Sequence, residues 1–75
     1  KVMSKIKLKS IEDCNELIGK RVLYKYHDRL RTGIVDGFEQ EGSRIYFHIK
    51  SDMTKGGITH INMFKLIELT DKVIK

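Results

Sequence analysis

The side chains in this sequence that could act as a nucleophile or as general bases are one cysteine and three histidines. Cys14 is the candidate nucleophile, and the candidate bases are His27, His48 and His60. The apolar face of a helix is indicated by the three- and four-residue spacing of Ile11, Cys14, Leu17 and Ile18. The position of Cys14 on this face predicts a buried, unreactive thiol. Because no phosphate-binding loop, Gly-x-Ser-x-Gly motif or dinucleotide-binding motif accompanies these residues, we expect a protein that is not an enzyme.

The same four residues are the candidate ligands for a metal ion. Structural zinc sites take their ligands from closely spaced pairs, such as Cys-x-x-Cys or His-x-x-x-His. The two nearest histidines, His48 and His60, are twelve residues apart and would meet only across neighbouring strands. The spacing therefore predicts no metal site, and we expect no cofactor.

A basic and aromatic face of a β-sheet is the remaining candidate for function. Alternation over residues 44–50 places four polar side chains on one side of a strand, and an earlier strand adds a lysine. Two arginines are expected to flank this face from a loop. Lysine and arginine neutralise phosphates, while tyrosine and histidine rings stack on unpaired bases. The predicted nucleic-acid-binding residues are Lys25, Arg29, Arg31, Arg44, Tyr46, His48 and Lys50.

The charge balance agrees with an anionic partner but does not require nucleic acid. The 75 residues include 15 basic and 10 acidic side chains, for a formal net charge of +5. A basic balance favours nucleic acid or an acidic protein surface. Acidic runs at residues 12–16 and 36–41 interrupt the positive surface; both are expected to be exposed. The charge therefore gives nucleic acid only a slight preference.

One short helix is predicted before the strands. Ser10 is a suitable N-cap, and Glu12 and Asp13 lie in the first turn, where the helix dipole favours acids. Gly19 lies where a glycine commonly ends a helix. These signals predict a helix over Ile11–Ile18.

Short strands joined by glycine-containing turns are predicted after Gly19. The segment from His27 to Leu30 is polar enough to be a turn or loop, and Gly33 and Gly37 inside the second strand indicate a bulge or bend. The final segment is predicted as a short fifth element that follows one helical turn. The predicted strands cover residues 21–26, 32–38, 44–50, 58–63 and 64–69.

The arrangement from Gly19 to Leu69 resembles the small barrels of the Src-homology-3 type, which include Tudor and KOW modules. The likeness rests on residues 19–22 (GKRV), 33–38 (GIVDGF) and 44–47 (RIYF). It implies a mainly β fold, a small five-stranded antiparallel barrel with one short N-terminal helix. An oligonucleotide-binding barrel is the alternative fold.

The chain is expected to form a single domain. Residues 1–18 would form a basic N-terminal arm and the short helix, residues 19–69 the barrel, and residues 70–75 a C-terminal tail. A lone cysteine, and no apolar run near the roughly 20 residues that span a bilayer, favour a cytoplasmic location without membrane contact.

A protein-binding module is the alternative function, of the kind found among accessory, regulatory or phage-encoded small proteins. The partner would dock on an open sheet edge or on exposed Leu23, Leu30 and Met53. Unprotected strand edges could also pair two copies of the chain into a homodimer.

Overall fold

Residues 11–53 and 57–75 form a mainly β structure of five antiparallel strands and one short helix, as the sequence predicts. The computed structural model describes residues 11–53 and 57–75; the expected basic arm over residues 1–10 lies outside this range. The strands form one sheet in the order β4-β3-β2-β1-β5. The elements are α1 (Ile11–Leu17), β1 (Arg21–Tyr26), β2 (Arg29–Glu41), β3 (Arg44–Ser51), β4 (Ile58–Asn62), the 3-10 turn η1 (Met63–Lys65) and β5 (Leu66–Leu69).

Helix α1 ends one residue earlier than predicted. Gly19 has a φ of +87°, and the backbone N–H of Lys20 donates to the carbonyl oxygen of Leu17 at 3.0 Å. A glycine in this left-handed conformation is a common end to a helix because it lacks a Cβ. Cys14 and Leu17 are buried against the sheet, whereas Ile11 and Ile18 are exposed, so only part of the predicted apolar face is buried.

Strand β2 is much longer than predicted, and this corrects the placement of two candidate residues. Arg29 and Arg31 belong to β2 and pair with Tyr26 and Tyr24 of β1, whereas the sequence indicated a loop before Thr32. The connection is a turn of only two residues, 27 and 28. Polar side chains at both ends of β2 concealed its length, because those ends are exposed and lack the alternation of a half-buried strand.

Strand β2 is shared between two halves of the sheet and bends between them. Residues 29–34 pair with β1, and residues 33–41 pair with β3. The register shifts between Val35 and Gly37, so the predicted bulge is present. At Gly33 the neighbouring strand comes so close that a Cβ would lie 2.5 Å from the carbonyl oxygen of Lys50. Only glycine therefore fits where β2 and β3 approach each other so closely.

The hydrophobic core lies on the inner side of the bent sheet. Phe47 and Ile49 of β3 are fully buried, as their alternation predicts. The Phe47 ring lies 5.9 Å from the ring of Phe38 on β2, measured between centroids. The rest of the buried apolar cluster is Cys14, Leu17, Val22, Tyr24, Val35 and Ile61.

Hydrogen bonds do not close the sheet into a barrel. Within the described ranges, β4 and β5 are the two ends of the sheet and do not pair with each other. The turn η1 joins them and contacts both β1 and β3. No helix in the described part of the chain is long and apolar enough to cross a bilayer.

A polar network ties the loop after β3 to the sheet and to the C-terminal residues. The Arg21 guanidinium donates to the Asp52 carboxylate from Nε at 2.9 Å and from Nη2 at 3.2 Å. The buried Thr32 hydroxyl donates to Asp52 Oδ2 at 2.7 Å and accepts the backbone N–H of Ile74, also at 2.7 Å. Four segments that are distant in sequence therefore meet at Thr32.

Replacing the central aromatic side chain should cost most of the protein's stability. We expect Phe47→Ala to lower the free energy of unfolding by about 3–5 kcal/mol, because it removes buried contacts and leaves a cavity. The total free energy of unfolding of a domain of this size is roughly 4–11 kcal/mol. Urea unfolding measures the change. Arg44→Ala, at an exposed position of the same strand, should stay within about 0.5 kcal/mol; equal losses would place Phe47 outside the core.

Acid should weaken the network at Asp52. The hydrogen bonds from Arg21, and next those from Thr32, lower the pKa of the Asp52 carboxyl against the opposing effect of burial. Its stabilisation is complete above the pKa of the unfolded chain, about 3.9, and is lost as the pH falls through the lower pKa of the folded state. Asp52→Asn should therefore flatten the acid limb of stability against pH, measured by urea unfolding. Asp36→Asn, at an exposed position outside the network, should leave that limb unchanged.

Candidate functional site

A groove with a volume of about 350 Å³ lies between the β1–β2 turn and strands β3 and β4. Its lining combines aromatic rings with positive charge: two tyrosines, two histidines and two lysines accompany a single acid. Two further cavities, of about 440 and 250 Å³, are lined without any aromatic side chain. The groove is lined by Lys25, Tyr26, His27, Asp28, Tyr46, His60, Ile61, Asn62 and Lys65.

The two-residue turn holds one wall of the groove. His27 and Asp28 have φ angles of 48° and 62°, which is the left-handed pair that a tight hairpin turn requires. Histidine and aspartate adopt this region more readily than bulky residues do. The ring of His27 packs edge-on against Tyr26, with centroids 4.2 Å apart and an interplanar angle of 70°. Tyr26 remains 39% exposed, so both rings are accessible from the groove.

The opposite wall comes from β3, β4 and η1. Tyr46 of β3 pairs directly with Asn62 of β4, and His60 lies two residues earlier on the same strand. Lys65, at the end of η1, is exposed beside them. Because strands and a short helical turn carry these side chains, their spacing is fixed by backbone hydrogen bonds rather than by a loop.

A second polar cluster adjoins the groove on the same face. His48 of β3 pairs with His60 of β4, and their rings stack with centroids 4.4 Å apart and an interplanar angle of 22°. His48 Nε2 lies 3.1 Å from Oε1 of Glu39 on β2. Three neighbouring strands thus bring two imidazoles and a carboxylate together, a contact that spacing along the chain did not predict.

The seven predicted nucleic-acid-binding residues do not all line this groove. Lys25 and Tyr46 do, and His48 lies next to it through His60. Arg44 is at the far end of β3 opposite Glu41, and Lys50 is six residues away, about 20 Å along an extended strand.

Arg29 and Arg31 also lie outside the lining of the groove. They pair with Tyr26 and Tyr24, so they share the inner face of the β1–β2 hairpin, whereas Lys25 pairs with Leu30 on the other face. The Nε atom of Arg31 is buried, and no hydrogen-bond partner for it occurs among the described residues.

Seven of the nine lining residues were missing from the predicted nucleic-acid-binding set, and four of these seven carry a ring or a positive charge: Tyr26, His27, His60 and Lys65. Tyr26 continues the alternation of the buried Val22 and Tyr24, but it projects beyond the end of the core. His60 had a usable signal, since alternation along β4 gives it the outward direction of His48 on β3. Lys65 had none, because its position depends on η1.

The acidic run at residues 36–41 and the cysteine behave as the sequence predicts. Asp36, Glu39 and Glu41 are exposed along the outer part of β2. Cys14 is fully buried and unpaired. Burial, and next the charge of Asp13, raise the pKa of its thiol, which disfavours the reactive thiolate.

Comparison with known proteins finds no family model that matches the chain, no similar curated protein and no solved structure of significantly similar fold.

Removing backbone strain from the turn should stabilise the hairpin that carries the groove. We expect Asp28→Gly to raise the free energy of unfolding by about 0.5–1 kcal/mol, since glycine adopts a positive φ without the steric cost of a Cβ. Ser43→Gly, in the β2–β3 turn, is the control, because the positive φ of that turn is already taken by Gly42. Urea unfolding of both variants compares the two turns. A destabilised Asp28→Gly would show that the aspartate side chain stabilises the turn.

Proposed function

We propose that this protein is a non-catalytic module that binds single-stranded nucleic acid in the groove between the β1–β2 turn and β3–β4. The observation that carries the proposal is the lining itself, in which four aromatic or imidazole rings and two lysines face one cavity. Rings provide stacking surfaces for unpaired bases, and lysines neutralise the phosphates between them.

The charge distribution favours a bound single strand over a broad duplex footprint. Duplex binding relies on an extended positive surface that contacts many phosphates. Here acids lie beside the basic side chains of β3, with Glu41 opposite Arg44 and Glu39 in contact with His48. In the groove, by contrast, Lys25 and Lys65 form no ion pair with any of the described residues. Asp28 is the only acid in the lining.

The architecture supports the likeness to barrels of the Src-homology-3 type. Four strands follow one another as a meander, and after η1 the fifth returns to pair with the first. The bulge in β2 bends the strand, as a curled sheet requires. We propose on these grounds that the sheet is a five-stranded barrel closed by side-chain packing around η1.

The location that we propose is cytoplasmic, and it rests on one residue. Cys14 is a free thiol in the core, where oxidation to a disulfide would disrupt the packing of α1 on the sheet. A reducing compartment keeps such a thiol in the form that the core accommodates.

Fluorescence anisotropy with labelled single-stranded RNA and DNA, and with their duplexes, tests the proposed function across a salt series. We expect saturable binding to a single strand that weakens steeply as salt rises. Tyr46→Ala should weaken it about 5- to 150-fold, the equivalent of the loss of one stacking contact of about 1–3 kcal/mol. Lys25→Ala should reduce the salt slope by about one, as expected for one lost phosphate contact.

Matched variants separate the groove from the net charge. Lys72→Ala removes the same charge at an exposed position that lines a different cavity, so it should leave the salt slope unchanged. Circular dichroism establishes that each variant is folded. Equal losses in Lys72→Ala and Lys25→Ala would show that binding is nonspecific, and an absence of binding at low salt would contradict the proposal.

Protein docking on a sheet edge is the second candidate function. Its specific support is strand β4, which pairs only with β3 in the described part of the sheet and carries Ile58 with 57% of its surface exposed. An apolar side chain on an unpaired edge suits the addition of a strand from a partner or from a second copy of the chain. Sedimentation equilibrium of the wild type and of Ile58→Lys would detect the second copy.

A further inference from the structure

We propose that Glu39, His48 and His60 form a binding site for a zinc ion on the outer face of the sheet. Their ligand atoms, one carboxylate oxygen and two ring nitrogens, all lie within 4.8 Å of one another. Three protein ligands of this kind, two histidines and a glutamate, complete a zinc site when a water takes the fourth position. The inference does not depend on nucleic-acid binding.

The sheet fixes the positions from which these three side chains project. They come from β2, β3 and β4, which are adjacent strands, and His48 and His60 are direct cross-strand partners. Side chains of such partners share one face of a sheet and have closely spaced Cβ atoms. The ligands are therefore presented by paired backbone, so little ordering of the chain would oppose the binding of a metal.

The distances are compatible with tetrahedral coordination once the His60 ring rotates out of its stack on His48, because a metal lies in the plane of each imidazole that binds it. Zinc–nitrogen bonds of 2.0–2.1 Å place tetrahedral ligand atoms about 3.3 Å apart. His48 Nε2 and Glu39 Oε1 are already 3.1 Å apart. Glu39 and His60 are exposed, and the His48 side chain is 30% exposed, so the remaining ring nitrogen can close a gap of about 1.5 Å without disturbing the core.

The chemistry of the donors selects the class of ion. Imidazole nitrogens suit zinc and the neighbouring transition metals, whereas magnesium and calcium prefer oxygen ligands alone. A surface ion pair between His48 and Glu39 would explain two of the three groups, and such pairs contribute little to stability. That ion pair does not account for the ring of His60, which stacks on His48.

Isothermal titration calorimetry with zinc chloride, in the absence of nucleic acid, tests the site. We expect one zinc ion per wild-type chain and a loss of affinity of at least about 10–100-fold in His60→Ala and in Glu39→Gln. His27→Ala is the matched control, since it removes a histidine that lies outside the cluster. The same additions of zinc should raise the Tm of the wild type, because the ion binds the folded state, but not that of Glu39→Gln.

The outcomes distinguish this site from the proposed nucleic-acid groove. Tyr46→Ala, which should lose nucleic acid, should retain zinc with wild-type affinity. An absence of saturable zinc binding to the wild type would overturn the proposal, as would undiminished binding in both His60→Ala and Glu39→Gln. An equal loss in His27→Ala would also overturn it, because the ion would then use a different set of ligands. Glu39 is exposed, so Glu39→Gln tests the site even if a histidine variant fails to fold.

Discussion

Strand β2 is the constraint on which the other features of the structure depend. It is the strand that both halves of the sheet share, and residues 33 and 34 pair with β1 on one side and with β3 on the other. The close approach of β3 at Gly33 and the bulge before Gly37 let β2 pair with two neighbouring strands that diverge. Without that bend the β1–β2 turn would point away from β4, and the groove between them would not exist.

The outer face therefore combines two kinds of chemistry at one place. His60 belongs to the lining of the groove and also stacks on His48, which contacts Glu39. The rings and lysines on one side suit a single strand of nucleic acid, whereas the imidazoles and carboxylate on the other suit a transition metal. A zinc ion bound there would place positive charge beside the groove, so the two sites would favour each other electrostatically.

The buried face of the sheet could be predicted from the sequence, and the exposed face only in part. Alternation marks Phe47 and Ile49 as core residues because those strands have one buried face. It fails at Arg29 and Glu41, where β2 extends past the core and hydrogen bonding alone maintains the strand. The prediction that the side chains of Tyr46 and His48 point outward was correct.

Which polar residues are neighbours depends on strand register, and this is where prediction of the site stopped. Twelve residues separate His48 from His60 along the chain, yet β3 and β4 place them side by side. Lys25 and Tyr46 line the same groove because the sheet curls, which local sequence does not encode. Arg44 and Lys50 share a face with Tyr46, but an extended strand carries them to opposite ends.

The return of β5 to β1 has a consequence for the order in which the protein folds. Strands β1 to β4 are neighbours in the order in which they follow along the chain, so each pairing closes only a short loop. Pairing of Leu69 with Val22 must close the much longer segment between residues 22 and 69, which carries a larger entropic cost. We therefore expect the four-stranded meander to form first and β5 to dock last. The same strand, with the residues that follow it, should be the first to open in native-state hydrogen exchange, exposing the edge of β1.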